Sequence, residues 1–445
     1  MILDDTIVAV ATANGVGSIS IVRLSGPNAL EIALKISKKD NLNSRYATLS
    51  QIYNDENELI DEALLIYFKN PSSFTGEDIV EFQCHGGYVI ANMVLETTIK
   101  YGARLANNGE FSKRAYLNGK IDLTQAQAIS NMIEAQSEDA VKLLARQLKG
   151  ELKEFIEDIR EDLLFMLAYT EVNIDYAEED LPSDIFEQIN NKIIKIQEKL
   201  KRTLDSSKRR EGLMQGFKVA IVGKPNVGKS SFLNALLDFD RAIVSDIAGT
   251  TRDTIEESVK IGSHIIKIID TAGIREANDT IEQIGIARSK EAINEADIII
   301  GIFDNSREFD NEDKQILLLL EESNQEKLIV LNKVDLTTKF DISKIDNYIE
   351  LSCNNDISIL IDSLEKILDK NNDSNEIMLV SSRQIKSVES TLNNIEQAID
   401  PLNTGELEFF AHHINEALEE VSNITRAYEH DQMLDVMFGS FCLGK

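Results

Sequence analysis

The chain is poor in cysteine, in histidine and in long apolar runs, and each shortage closes off a class of function. Its three cysteines, Cys84, Cys353 and Cys442, are an odd number scattered over 445 residues with no CxxC pair, which argues for a reducing compartment and against a disulfide framework. The five histidines form no HExxH or other metal-ligand spacing, and the adjacent His412 and His413 in FFAHHINEAL are read as helix surface. No run of roughly eighteen apolar residues occurs, so no membrane-spanning helix is expected. The stretch MILDDTIVAV carries two aspartates where a signal peptide needs positive charge, and a cytoplasmic protein is expected. Basic residues are scarce as well. Lys and Arg number 46 against 76 Asp and Glu, a net charge of −30, so a broad electrostatic grip on nucleic-acid phosphates is excluded. Any contact with RNA is local or is supplied mainly by a partner.

What is present divides the chain into about three domains, as its length suggests. Residues 1–118 mix short alternating segments (GSISIVRLSG, ALLIYFKN) with turn-like NPSSFTGED and read as an α+β domain. From 119 to 210, Ile129, Ile133, Leu144, Leu148, Leu152, Phe155, Ile159, Leu163 and Met166 recur mostly at helical spacing, predicting long amphipathic helices. Residues 216–372 alternate short apolar strands (FKVAIVG, IIKIID, ADIIIGIF, KLIVLN, YIELS) with helix-like segments, the pattern of a parallel sheet with crossover helices. Past a polar linker, residues 376–445 are helical again. The fold expected is multidomain: an α+β N-terminal domain, an all-α helical domain in two parts, and an α/β P-loop domain inserted between those parts. Insertion is tolerated where both linkers emerge close together.

The chemistry concentrates in the inserted segment. GKPNVGKSS places Gly223, Asn226, Val227, Gly228, Lys229, Ser230 and Ser231 in GxxxxGKS spacing between a strand and a helical run. Backbone N–H groups and the helix N-terminus can cradle phosphates there, Lys229 can reach the terminal phosphates, and the Ser230 hydroxyl can hold Mg²⁺. DTAG (Asp270, Thr271, Ala272, Gly273) follows a strand, where a carboxylate can hold the metal's water shell and a glycine N–H can sense the γ-phosphate. NKVD supplies Asn332, Lys333 and Asp335; an Asp carboxylate at that place accepts two hydrogen bonds from guanine that adenine cannot give. The base is therefore guanine. Between these lies SDIAGTTRD, with Ser245, Asp246, Ile247, Ala248, Gly249, Thr250 and Thr251; either threonine could reach Mg²⁺ when such a switch loop closes on a triphosphate. Ser352 and Cys353 in LSCN fit a loop backing the base or a plain strand end, with Cys353 as a small filler.

Ile274 follows DTAG where a Ras-like enzyme has a glutamine to orient the attacking water. Isoleucine cannot do so, which leaves Glu282 as the candidate catalytic acid, able to swing in from a downstream segment. No arginine finger is apparent. Asn226 could lend its side-chain oxygen to a K⁺ held against the phosphates, with carbonyls of SDIAGTT completing the shell.

The set GKPNVGKSS, SDIAGTTRD, DTAGIRE, NKVD, a helical domain split around them and the tail FCLGK resembles the MnmE (TrmE) family of tRNA-modification GTPases, of the wider TrmE-Era-EngA-like group. FTGEDIVEFQCHGG and GEFSKRAYLNGKIDLTQAQAI extend the resemblance across the whole chain. It implies a tetrahydrofolate-binding-like N-terminal domain that also drives homodimerisation, and a flavoprotein partner of the MnmG type, FAD-binding, in a heterotetramer. It also implies an aminomethyl-type group, carboxymethylaminomethyl, installed at carbon 5 of the wobble uridine of certain tRNAs. By matching motif, Ser230 and Thr251 hold Mg²⁺, while Asn226, Ser245, Ile247 and Thr250 ring K⁺ and Glu282 positions water. Ser245 stands where the family often has Thr, a difference to which a carbonyl ligand is indifferent. Arg23, Glu81 and Lys120 match the folate positions, an acid for the pteridine and bases for the glutamate tail.

The ending FCLGK could be mistaken for a prenylation signal, but Gly444 and Lys445 do not suit one. The resemblance implies instead that Lys445 touches a 5-formyl- or 5,10-methylene-tetrahydrofolate, with Cys442 near its one-carbon unit as a candidate catalytic group. The alternative reading is a regulatory GTPase of RNA or ribosome assembly whose flanking helices grip RNA.

Overall fold

The computed structural model describes residues 5–13, 15–135, 137–175, 185–209, 212–213, 216–240, 257–269, 292–353, 355, 357–370, 377–426, 434, 437–439, 441 and 444. Two compact units emerge: Met1–Ile133, Arg146–Gln197 and Lys386–Lys445 form one, Glu134–Ala145 and Glu198–Ile385 the other. The architecture is multidomain, with mixed α/β and helical regions as the sequence patterns require.

The first unit holds strands β1 (Ile7–Val10), β2 (Ile19–Ser25), β3 (Ala47–Tyr53), β4 (Leu59–Phe68), β5 (Ile79–His85) and β6 (Arg104–Leu105), with helices α1 (Ala29–Ser37), α2 (Tyr88–Lys100) and α3 (Glu110–Leu117). Sheet order is β3-β4-β5-β2-β1-β6, antiparallel except for the β1–β6 edge. Strand alternation sends Val8, Val22, Leu24, Val80 and Phe82 into a core with Ile32 and Ile36 of α1 and Val94 of α2. The opposite face carries Ile7 and Ala9, which pack with Ala106 and Phe111. Register places Arg23 directly across from both Ala9 and Glu81, so this pair shares the Phe111 side of the sheet. After α4 (Leu123–Glu134), the unit continues into α6 (Glu151–Asp175) and later α12 (Leu407–Thr425), with α5 (Glu138–Leu148), α7 (Ile185–Arg209) and α11 (Ser382–Thr404) shared between the units. Helix α12 packs along α6, burying Leu152, Ile159 and Leu163 of one and Phe410, Ile414 and Val421 of the other.

The second unit is an α/β sheet of β7 (Phe217–Val222), β8 (Glu257–Ile261), β9 (His264–Ile269), β10 (Ile298–Asp304), β11 (Glu326–Asn332) and β12 (Tyr348–Glu350) in the order β12-β11-β10-β7-β9-β8. Only β8 runs antiparallel. Helices α8 (Lys229–Asp240), α9 (Asn311–Glu322) and α10 (Ser358–Lys370) belong to the same unit. Strand β10 is buried at every residue, as a central parallel strand covered on both faces should be. The chain leaves β7 towards β9 on one side and later β10 on the other, so the loop after β7 sits at the switch point where α/β sheets open a crevice. Chain entering and leaving this unit is tied together: the Leu379 N–H donates to Ser207 Oγ at 2.8 Å, and the Ser206 hydroxyl donates to Ile377 O at 3.4 Å.

Candidate functional site

The loop between β7 and α8 has the shape its sequence demands. Gly228 has φ +106°, where a Cβ would stand 2.3 Å from Asn332 Nδ2; at Gly223 one would stand 2.6 Å from Ile302 O. Asn226 takes φ +65°, a left-handed conformation that asparagine tolerates better than most side chains. The Lys229 ammonium folds back over the loop, donating to Gly223 O at 2.6 Å and Lys224 O at 2.9 Å. Both acceptors are neutral, and burial lowers the Lys229 pKa, so an anion here would relieve a cation that water does not reach well. Ser230 follows Lys229 in the first turn of α8.

The base-side motif clamps the same loop. Asn332 Nδ2 donates to Val227 O at 2.9 Å while Asn332 Oδ1 accepts from the Cys353 N–H at 3.2 Å, joining the phosphate loop to the loop after β12. Lys333 donates to Asn226 O at 2.8 Å and to Asp304 Oδ2 at 2.7 Å. Asp335 is exposed beside them, and Ser352 is buried behind. Burial first, and then the nearby Asp335 charge, push the Cys353 thiol up to about 11, so it is a neutral packing group. Asn226, Val227, Gly228, Asn332, Lys333 and Cys353 are thus tied to one another, with Lys229, Ser230 and Ser231 following in the chain on one side and Asp335 and Ser352 on the other. Ser245 to Thr251, Asp270 to Gly273, Ile274 and Glu282 lie outside the described residues. A backbone cradle with a buried lysine at a helix N-terminus fits a nucleotide's phosphates and Mg²⁺.

Sequence reasoning passed over the carboxylates beneath this loop. Asp304 ends β10 fully buried, bonded to Lys333 and to the Ser306 hydroxyl and N–H. Lys224, at a variable position of the motif, meets Asp310 and Asp313 at 2.7 Å each. An acid closing a parallel strand was the available signal.

In the first unit, Arg23 Nε donates to Glu81 Oε1 at 2.9 Å, and its guanidinium lies 5.8 Å from the centre of the Phe111 ring. Arg23 Nη1 also donates to Gly444 O at 3.4 Å. The chain's end is seated there: a Cβ on Gly444 (φ +90°) would stand 2.5 Å from Val10 O, and one on Gly109 would stand 2.3 Å from Phe438 O. Phe438 and Phe441 pack with Leu123 and Ala126. Lys120 is placed apart from this pair, donating to Pro71 O at 2.9 Å. Cys442 and Lys445 lie outside the described residues.

Beside the pair lies a charge network that no motif announced. Arg114, 1% exposed, bonds Asp5 Oδ1, Glu110 Oε1 and Glu77, and Arg104 bonds Asp5 and Glu110. Ser25, two residues along β2 from Arg23, donates to Glu77 Oε2 at 2.7 Å. Burial would raise the Glu110 pKa, but Arg104, the Asn107 N–H and Arg114 outweigh it and hold the carboxyl below its ordinary value. An arginine–carboxylate pair above an aromatic ring can hold a flat, hydrogen-bonding heterocycle bearing carboxylates, so these residues fit a folate.

Two families of known proteins match: the MnmE helical domain over residues 123–442, and the GTP-binding protein TrmE N-terminus over residues 6–120. The chain is 67% identical to the tRNA modification GTPase MnmE of Aliarcobacter butzleri, covering all of both proteins. It is 61% identical to that of Sulfurimonas denitrificans over 99% of this chain and all of the relative, and 51% identical to that of Campylobacter jejuni subsp. jejuni over all of both.

Proposed function

Because the chain belongs to the MnmE family of tRNA modification GTPases, we propose that it is a K⁺-stimulated GTP hydrolase acting with an FAD-binding partner of the MnmG type. Together they install a carboxymethylaminomethyl-type group at carbon 5 of the wobble uridine of certain tRNAs, drawing one carbon from a 5-formyl- or 5,10-methylene-tetrahydrofolate. The observation that carries this is the clamped phosphate loop, with Lys229 held ready on neutral carbonyls and Asn332 and Lys333 joining it to the base side.

In this reading Lys229 exchanges Gly223 O and Lys224 O for phosphate oxygens, and the Gly228 and Lys229 N–H groups complete the cradle. Ser230 and Thr251 hold Mg²⁺; Asn226, Ser245, Ile247 and Thr250 hold K⁺. The cations supply the positive charge that stabilises the departing phosphate. Glu282 orients the attacking water and Asp335 reads guanine. In the first unit Glu81 orients the pteridine ring, and Arg23, bonded to it, faces the glutamate tail. Lys120 and Lys445 serve the glutamate tail, and Cys442 lies by the one-carbon unit.

The organisation proposed is a folate-binding and dimerisation domain over residues 1–118, a helical domain over 119–210 and 376–445, and a G domain over 216–372. Homodimerisation is supported by exposed Val16, Ile19, Tyr88 and Val89, which lie before or at the starts of β2 and α2, where the Gly86 N–H donates to Ser18 O at 3.0 Å. No helix among the described residues is long and apolar enough to cross a membrane. A cytoplasmic location is part of the proposal, since the tRNA substrate proposed for it is there. The test is nucleoside analysis of tRNA from cells deleted for the protein. Wild type should restore the carbon-5 substituent and Lys229→Ala should not. Restoration by both would separate the modification from the nucleotide site.

A further inference from the structure

We infer that the segment from Asp304 to Asp313 is a carboxylate brace that holds the phosphate loop in its binding geometry, with Asp304, Asp310 and Asp313 as positioning residues for nucleotide. The segment leaves β10 and caps α9, and it reaches the loop at two points. Lys224 in the loop is 5% exposed at its side chain and ends on Asp310 Oδ2 and Asp313 Oδ2, each at 2.7 Å. Asp304, fully buried, holds Lys333 at 2.7 Å, and Lys333 in turn donates to Asn226 O at 2.8 Å. One grip acts on a side chain and the other on a carbonyl, with Asn226 at φ +65° and Gly228 at φ +106° following. A loop in left-handed conformations persists only where its surroundings over-determine it.

The brace also sorts the lysines. The charges of Lys224 and Lys333 are already matched by carboxylates, whereas Lys229 rests on carbonyl oxygens. Among the described residues Lys229 alone of the three meets no carboxylate, which leaves its charge for phosphate, and Lys224 is a structural cation despite standing inside the motif. The same carboxylates cap a helix: Asp310 Oδ1 accepts from the Glu312 and Asp313 N–H groups, and Asp313 Oδ2 accepts from the Asp310 N–H. The position of the phosphate loop is thereby fixed to the start of α9.

The test rests on the guanine-nucleotide reading, so wild type is measured first: failure of wild type to bind GDP would refute that reading and with it the brace, whereas a failure of the brace alone shows only in the variants. Asp310→Asn keeps the helix cap, because asparagine caps as well as aspartate, but removes one of the two carboxylate charges facing Lys224, leaving Asp313. Asp304→Asn removes the charge facing Lys333. GDP affinity and the rise in melting temperature that saturating GDP produces are measured on the full-length protein. We expect affinity to fall about fivefold in Asp310→Asn and tenfold or more in Asp304→Asn, the range of a typical coupling between neighbouring sites, with a smaller GDP-induced rise. A lowered melting temperature with GDP affinity unchanged would reduce the segment to scaffold and overturn the inference. Tighter GDP binding in Asp310→Asn would overturn it as well, by showing that loosening the hold on Lys224 helps rather than harms the phosphate loop.

Discussion

The phosphate loop and the Arg23 site differ in how far along the chain their parts are drawn from. Lys229 bonds a carbonyl only six residues away, and the loop's shape follows from a few glycines and a helix start. Arg23 finds Glu81 at a separation of 58 residues and Gly444 at 421, and it stands beside arginines and acids from β6, α3 and the segments carrying Asp5 and Glu77. A site made of contiguous backbone needs only local conformation to be right. A site of distributed side chains depends on the whole sheet register and on a buried charge network to hold it. The two should therefore fail differently when damaged.

The largest expected effect is on the distributed site. Arg114→Met leaves Glu110 and Glu77 without their buried partner, and we expect a loss of about 3–5 kcal/mol in the first unit's stability, with GDP binding retained. Urea titration with GDP titration alongside checks this, and equal damage to both would break the comparison. The pH dependence follows in sign. The Glu110 pKa is lowered in the fold, so its contribution is present above the ordinary value of 4.5 and is lost as pH falls below it. The acid limb of stability should therefore be shallower in Arg114→Met than in wild type.

Next is Gly228→Ala, a local lesion. The new Cβ would meet Asn332 Nδ2 in a backbone conformation that alanine resists, and GDP affinity should fall about 100-fold by calorimetry with little change in the first unit's urea transition. Smaller still is Gly444→Ala, whose Cβ meets Val10 O. Folate binding should weaken about tenfold with GDP binding intact, the converse pattern. Unchanged folate affinity would separate the seated tail from the Arg23 pair.

The smallest effect is expected at cysteine. Burial pushes the Cys84 thiol up to about 12 and Cys353 up to about 11, so neither should be alkylated appreciably by iodoacetamide at pH 8, and Cys353→Ala should change GDP affinity less than threefold. Rapid labelling of Cys353 would show that the base-side loop opens.

Legibility follows the same division. GxxxxGKS and NKVD could be read off the chain because each is short and its chemistry is largely backbone. The roles of Asn332 as a clamp and of Asp304 beneath Lys333 were not readable, since both depend on which strands β10 neighbours. Arg23 and Glu81 were reachable only through resemblance, because nothing in their local sequence says that β2 and β5 pair in that register. Nothing in the sequence around Arg114 marks it for burial, which emerges only when α3 is laid against β1 and the segments carrying Asp5 and Glu77. The seat of Gly444 against Val10 is likewise a tertiary fact that the local sequence does not announce.

The central claim is a guanine nucleotide site activated by a monovalent cation in place of an arginine. It is tested most directly by GTP hydrolysis in KCl against NaCl at matched ionic strength, for wild type, Asn226→Ala and Glu282→Ala. The account predicts strong stimulation by K⁺ in wild type and its loss in both variants. Equal rates in the two salts, or stimulation that survives Asn226→Ala, would contradict it.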